Sequence, residues 1–470
     1  MKPLPLSRIA QWTGGRLVGA DATVGSLATD TRTFDDSGAA TLFVALGGER
    51  FDGHDHVAAA AAKGATAALV ARPLEVAIPQ VVVADTTRAL AALAGAMQRT
   101  RGTRVVAITG SNGKTSVKQC VLAILSRAGD AYANPGNRNN EIGLPLAVIE
   151  APDDADVAVY EMGAGKAGDI AYLTAIARPD VALVNNVAPA HLERLGSLLA
   201  IAETKAAVYE ALPADGVAVI NADDAFAPFF AERAHGRRLI RFGFGDSPDI
   251  TVRDVVVDGD GSHFVLVTPE GEVDVDLPLP GRHNIANAMA AASLALGCGV
   301  ELATIAAGLR AVQAVAGRLV RHHLASGAVL VDDSYNANPG SLNAAIEVLA
   351  QTAGERWLVL GDMRELGADA EALHAEAGRR ARAAGLSRVY ALGALSAHAA
   401  AAFGDGGRVF ESHEDLAEAL RGDLEVARQA GGVAPTGGAG AITMVVKGSR
   451  GSAMDRVVAM LLQGDGAHAA

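Results

Sequence analysis

Arg104-Val105-Val106-Ala107-Ile108-Thr109-Gly110-Ser111-Asn112-Gly113-Lys114-Thr115 is the stretch that decides the fold. Its first six residues, rich in β-branched side chains, read as a buried strand. Residues 114–128 read as a helix, because Val117, Val121, Ile124, Leu125 and Ala128 recur at three- and four-residue spacing. The turn between them, Gly-x-x-Gly-Lys-Thr, suits phosphate: successive backbone N–H groups and the positive helix end can face phosphate oxygens. Thr109, Gly110, Ser111, Asn112, Gly113, Lys114 and Thr115 are therefore the expected ATP site. Lys114 is expected to reach the β and γ phosphates, and Thr115 to offer its hydroxyl to Mg²⁺. The first glycine of the longer phosphate-loop pattern would fall at Ile108, still in the strand, so this is a shorter form of it.

Outward from this unit, residues 156–161, 181–187 and 217–221 are further strand candidates, separated by helical stretches such as 198–212. That alternation predicts a mostly parallel sheet. Residues 250–257 and 263–268 instead alternate apolar with polar side chains around Asp258-Gly259-Asp260-Gly261, predicting a small antiparallel excursion. A helix is expected over 281–296. A second α/β series, with strands at 329–332, 357–360, 389–392 and 442–446, predicts a Rossmann-like domain, with a Gly/Pro/Ala-rich loop at 431–440. The first 80 or so residues show short β segments such as 41–46 and a helix near 57–63. The expected fold class is α/β in three domains, over residues 1–83, 84–314 and 315–470.

The chain has 470 residues, which at about 150 residues per domain agrees with three. Its 40 Lys plus Arg against 53 Asp plus Glu give a formal charge of −13, which argues against generalised binding to nucleic acid or anionic membrane. Anionic ligands must meet locally clustered cations. Cys120 and Cys298 are too few for a disulfide framework or a zinc site, so a reducing cytoplasm is expected. Prolines at positions 3 and 5 interrupt any signal-like apolar run, and the Ala-rich stretches are broken by charges and glycines. A soluble, untargeted monomer is the expectation.

Four further features have competing readings. Gly163-Ala164-Gly165-Lys166-Ala167-Gly168 is a formal dinucleotide fingerprint after a strand. Glu161 at that strand's tip would repel a pyrophosphate, yet suits a Mg²⁺ already bound to nucleotide. His54-Asp55-His56 only superficially suggests a metal. Lys205 alone reads as a surface helix lysine and His191 as a structural histidine, although His191 follows a strand at the end where parallel-sheet ligand sites form.

Taken together, these residues resemble the ATP-dependent Mur ligases along the whole chain. The matches are 109–115, 134–143, Glu161-Met162-Gly163, 190–193, Lys205, 221–224, 280–287, Gly317-Arg318, 332–338, 361–363 and 447–450. The resemblance implies a UDP-binding domain, a central ATPase domain and a C-terminal domain that closes over ATP. Within the family it points to the branch that joins D-alanyl-D-alanine to the carboxylate of UDP-N-acetylmuramoyl tripeptide through an acyl phosphate, releasing ADP and phosphate, in peptidoglycan precursor synthesis.

By that resemblance Lys114, Glu161, His191 and Lys205 are the catalytic set. Thr115 and Glu161 would hold one Mg²⁺, and His191 with a carbamylated Lys205 a second. Asn284 and Asn287 would lie by the base, and Arg318 and Asp333 would contact the nucleotide from the third domain. Asp30, Thr31 and Arg32 with Asp52, Gly53 and His54 would meet the UDP-sugar. Asn139 and Asn140 would meet the sugar-peptide, and Lys447, Ser449 and Arg450 a phosphate or the dipeptide carboxylate. One departure is Gly165-Lys166, where the family commonly has Asn-His. Gly361-Asp362-Met363-Arg364 stands where diaminopimelate-adding relatives carry Asp-Asn-Pro-Arg, which favours dipeptide addition. The alternatives are addition of another amino acid, a folylpolyglutamate synthetase-like use, and a nucleotide-binding regulator without catalysis.

Overall fold

A computed structural model describes residues 1–32, 40–48, 51–189, 192–245, 247–258, 261–429 and 442–465. The expected loop at 431–440 and the tip of the hairpin at 259–260 lie outside them, as does His191.

The central sheet is six parallel strands in the order Arg238–Phe242, Val217–Asn221, Val181–Val184, Arg104–Thr109, Val157–Glu161, Ala131–Ala133. The strand that starts the phosphate loop lies between two neighbours that come later in the chain. Connections leave it in both directions, and the crevice beyond its carboxyl end is where an open parallel sheet binds ligands. Buried on both faces, this strand has no polar face, and Val105 to Ile108 are at most 1% exposed. The helix Lys114–Ala128 covers one face with Val117, Val121, Ile124 and Leu125, packing with helix Arg282–Gly297. On the other face Leu198–Glu210 and Asp169–Ala177 pack.

The antiparallel excursion has three strands rather than two: Thr251–Val257, Ser262–Thr268 and Gly271–Leu277. In the third, Glu272, Asp274 and Asp276 point outward while Val275 and Leu277 are buried. The third domain is a six-stranded sheet, Val320–His323, Val329–Asp333, Ile442–Lys447, Glu355–Gly361, Arg388–Leu392, Gly407–Phe410, with only the first strand antiparallel. Its carboxyl ends put Asp333 level with Lys447, on the side facing the phosphate loop.

The first domain is a five-stranded sheet, Arg16–Val18, Gln80–Val82, Ala65–Val70, Thr41–Val44, Ser26–Ala28. The last two run parallel, so residues after Ala28 and after Val44 emerge at one end. Helix Thr86–Arg99 is N-capped by Asp85, whose carboxylate accepts from Arg88 N at 2.9 Å. It shares one core with Leu6 and Ile9 of the first domain and Val148, Leu173 and Ile176 of the second. A division near residue 83 assigns this shared helix to the central domain.

Candidate active site

Gly113 opens the helix at φ +78, a left-handed conformation that L side chains resist. A Cβ there would lie 2.5 Å from both Asn185 Nδ2 and Asn287 Oδ1, so glycine is required for space as well. Asn185 Nδ2 donates to Asn287 Oδ1 at 3.2 Å and to the Asn112 carbonyl at 3.0 Å. Asn186 completes the clamp: its Oδ1 accepts from Asn112 N at 2.8 Å. These contacts explain why the strand predicted over 181–187 stops at Val184: the next two residues turn to hold the phosphate loop.

Lys114 Nζ donates to the Gly110 carbonyl at 2.8 Å and the Ser111 carbonyl at 3.2 Å. Glu161, 3% exposed at the tip of the next strand, accepts from Thr115 Oγ1 at 2.9 Å and from Asn139 Nδ2 at 2.7 Å. Burial would raise its carboxyl, but Lys114 and Lys118 with these hydrogen bonds hold it below the usual range. A hydroxyl and an ionised carboxylate thus converge beside the phosphate loop, a hard-oxygen donor pair that fits Mg²⁺.

Lys205 is 3% exposed, on the helix Leu198–Glu210 whose Ser197 cap accepts from Ala200 N at 3.1 Å. Its ammonium has no hydrogen-bond or ion-pair partner among the described residues. Burial, and then the nearby Lys114 charge, push its pKa well below that of an ordinary lysine. A buried lysine whose pKa is lowered suits carbamate formation, and its burial does not fit a surface lysine. With His191 outside the described residues, Lys205 is the described member of the second expected metal pair.

The third domain meets this loop directly. Arg318 donates to Thr115 Oγ1 at 3.0 Å, lies over the Tyr335 ring at 4.4 Å, and keeps its buried Nε unpaired among the described residues. Asn338 donates to Asn112 Oδ1 at 2.6 Å while its own Oδ1 caps the helix Pro339–Ala350. Asp333 and Lys447 form a buried pair at 2.5 Å, and Lys447 also donates to the Asn336 carbonyl at 3.0 Å. Burial raises the Asp333 carboxyl, and Lys447 opposes that rise. Asn284 and Asn287 are both buried, with Asn287 Nδ2 3.5 Å from Asn284 Oδ1. All of these line one cleft of about 740 Å³ between the second and third domains.

Several expected contacts serve the scaffold. Ser449 accepts from Arg364 N at 2.8 Å and donates to the Ala337 carbonyl at 3.1 Å, and Arg450 pairs with Asp455 at 3.4 Å; neither lines the cleft. Asn140 Oδ1 accepts from Gly143 N at 2.8 Å, and Asn139 serves Glu161, so only their position lining the cleft supports the sugar-peptide reading. In the first domain, Asp30 forks onto Arg32 at 2.7 Å, and Thr31 accepts through its carbonyl from Lys63 at 2.5 Å. His54 Nε2 accepts from Ala71 N at 2.7 Å, leaving Nδ1–H to donate to Asp52 at 2.5 Å. A Cβ at Gly53 would lie 2.6 Å from the Leu46 carbonyl. These six sit at the shared carboxyl end of that sheet, away from the central cleft.

The rival glycine-rich loop is already occupied. Asp169 Oδ2 accepts from Gly165 N at 2.8 Å and Lys166 N at 2.9 Å, so a carboxylate fills the donors a pyrophosphate would need. Among the described residues no group of three His, Cys, Asp or Glu could hold a metal, His54-Asp55-His56 included.

Three elements of the site were not read from the sequence. Asn134 brackets Glu161, accepting from its N–H at 2.9 Å and donating to its carbonyl at 3.1 Å. Asp224 accepts from Val187 N at 2.7 Å, and Asn221 donates to the Asn185 carbonyl at 2.8 Å, which gives the 221–224 match a task. Lys118 lies beneath Glu161; a lysine four residues after Lys114, on an otherwise apolar helix face, was the available signal.

Three family models match in chain order: "Mur ligase family, catalytic domain" over residues 36–101, "Mur ligase middle domain" over 108–295, and "Mur ligase, glutamate ligase domain" over 317–440. The chain is 44% identical, over 98% of its length and 99% of the relative's, to the UDP-N-acetylmuramoyl-tripeptide--D-alanyl-D-alanine ligase of Escherichia coli strain K12. Among solved structures it is similar to MurF from Acinetobacter baumannii, with a TM-score of 0.91 and 32% identity over 98% of this chain and 99% of that one. MurF from Thermotoga maritima in complex with ADP superposes with a TM-score of 0.79 and 26% identity, covering 94% of this chain and 97% of that one. Three Mur ligase models in chain order and a full-length relative at 44% identity agree, and the chain belongs to the Mur ligase family.

Proposed function

We infer that the protein is an ATP-dependent ligase that joins D-alanyl-D-alanine to the terminal carboxylate of UDP-N-acetylmuramoyl tripeptide, in peptidoglycan precursor synthesis. One observation carries it: phosphate loop, Glu161 and buried Lys205 line a single cleft roofed by the third domain, in a chain 44% identical end to end to a ligase of that name.

A carboxylate is a poor electrophile, so its oxygen first takes the γ-phosphoryl group, breaking the bond to ADP. The dipeptide amine then attacks the acyl carbon, phosphate leaves, and the amine proton passes to solvent or base. Charge builds first on phosphoryl oxygens and then on the former carbonyl oxygen, so positioning and cations do most of the work. Lys114, at the start of the helix, would meet the β and γ phosphates. Arg318 brings a second cation from the third domain. Thr115 and Glu161 would hold one Mg²⁺, and Lys205, once carbamylated, would with His191 hold another. Such ions neutralise phosphoryl charge when bound. Asn284 and Asn287 suit the base, and the Asp333–Lys447 pair suits the ribose side. The first-domain set at 30–32 and 52–54 suits the UDP end of the acceptor. A cytoplasmic site of action suits peptidoglycan precursor synthesis by a chain whose Cys120 and Cys298 are both free thiols.

The test is isotopic. With ¹⁸O in the tripeptide carboxylate, released phosphate should carry one ¹⁸O; unlabelled phosphate alongside product would contradict the acyl phosphate.

A further inference from the structure

Lys118 is 2% exposed, one helical turn beyond Lys114. Burying an ammonium is strongly unfavourable unless its charge and its three donors are met. Here Nζ donates to the Asn134 carbonyl at 2.8 Å and the Gly136 carbonyl at 3.0 Å, and stands 3.5 Å from Glu161 Oε2. The same Glu161 oxygen accepts from Thr115, and the other from Asn139. Asn134, which Lys118 holds by its carbonyl, also brackets the Glu161 backbone. Lys118 therefore closes a ring of contacts that fixes both the main chain and the carboxylate of Glu161.

The charges matter as much as the geometry. Lys114 and Lys118 lie close enough to Glu161 to act on its carboxylate, and Arg318 shares Thr115 with it. Two lysines thus act on one carboxylate, and an arginine stands one hydroxyl away from it. Among the described residues no group of three His, Cys, Asp or Glu is gathered around Glu161 to make a metal cage. A divalent ion arriving alone meets net positive charge and too few anionic oxygens, whereas one arriving with a polyphosphate brings its own.

We propose that Lys118 is a positioning residue that fixes the Glu161 carboxylate and, by its charge, makes the site accept a divalent cation only in company with polyphosphate. This rests on the ATP and Mg²⁺ reading above. Lys118→Gln removes the charge but can still donate to the carbonyls of Asn134 and Gly136; Lys118→Met removes both. Two measurements apply, each on full-length protein whose fold is checked by circular dichroism. One is Mn²⁺ binding without nucleotide, by electron paramagnetic resonance; the other is the ratio of ADP affinity with Mg²⁺ to that without, by calorimetry. Wild type should bind no free Mn²⁺ at submillimolar concentrations. Both variants should gain Mn²⁺ affinity and raise the ADP ratio, each by about tenfold or more. In a Glu161→Gln background the same substitutions should leave the ratio unchanged. A merely structural lysine would weaken ADP equally with and without Mg²⁺, and an unchanged ratio in a folded variant overturns the proposal. An equal rise in the Glu161→Gln background overturns it too. If Lys118→Met does not fold, Lys118→Gln decides. Failure of wild type to bind ADP with Mg²⁺ would instead sink the nucleotide reading, and this proposal with it.

Discussion

Replacing Gly113 by alanine should disable nucleotide binding while leaving the rest of the chain folded. The residue sits at φ +78, where an L side chain costs roughly 1–2 kcal/mol. The new methyl group would also lie 2.5 Å from Asn185 Nδ2 and Asn287 Oδ1, atoms that are hydrogen-bonded to each other at 3.2 Å. Parting them forfeits one buried hydrogen bond, about 1 kcal/mol. Together these come to about 2–3 kcal/mol, or roughly a 30- to 150-fold loss of ADP affinity if the strain is relieved by moving the loop. Calorimetric titration with ADP measures it. Gly14→Ala is the control: φ is +66 but nothing lies within 4 Å of the added Cβ, and the site is remote. It should lower stability and leave ADP affinity alone. Gly113→Ala binding ADP within about threefold of wild type would refute the reasoning, because a shift below 1 kcal/mol is less than the strain alone.

Tyr209→Phe removes a hydroxyl that accepts from Val184 N at 2.8 Å and donates to the Val219 carbonyl at 2.6 Å, tying two central strands together one turn from Lys205. Leaving both backbone groups unpaired should cost about 2–4 kcal/mol in urea unfolding; a wild-type midpoint would contradict this. Burial, and then Lys447, lower the His283 pKa from 6.5 to about 4. The folded state therefore favours the neutral ring, and stability should fall as pH drops from about 6.5 towards 4, where the unfolded chain binds the extra proton. His283→Gln should flatten that part of the melting-temperature profile, and an equally steep profile would count against it. Lys205→Ala should lose ligation and regain part of it with short carboxylic acids supplied in place of the carbamate oxygens. A fully active variant would remove Lys205 from the mechanism.

The strand, glycine turn and helix of the phosphate loop were legible because their determinants are local. The phosphate loop and its helix run over exactly the residues that spacing predicts, since one apolar stripe and one glycine turn define them. What the sequence hid was pairing at a distance. Lys118 lies among the apolar positions of its helix, and its partner Glu161 is on another strand, so nothing local marks the ammonium as buried. Lys447 and Asp333 read as separate ligands because only the parallel register sets them side by side. The partners of His54, Asp52 and the Ala71 N–H, were not legible either, because they come from the turn before it and from a strand end 17 residues on. The third antiparallel strand was missed because Glu272, Asp274 and Asp276 make it look like a solvated loop until the buried Val275 and Leu277 are seen between them.

Coupling of ATP cleavage to dipeptide addition is the most direct thing to measure. Phosphate release should be followed with ATP, Mg²⁺ and UDP-N-acetylmuramoyl tripeptide, with and without D-alanyl-D-alanine. Release should be sustained only with the dipeptide, one phosphate per UDP-linked pentapeptide formed. Release that proceeds equally with D-glutamate, with folate or with no acceptor amine would contradict it.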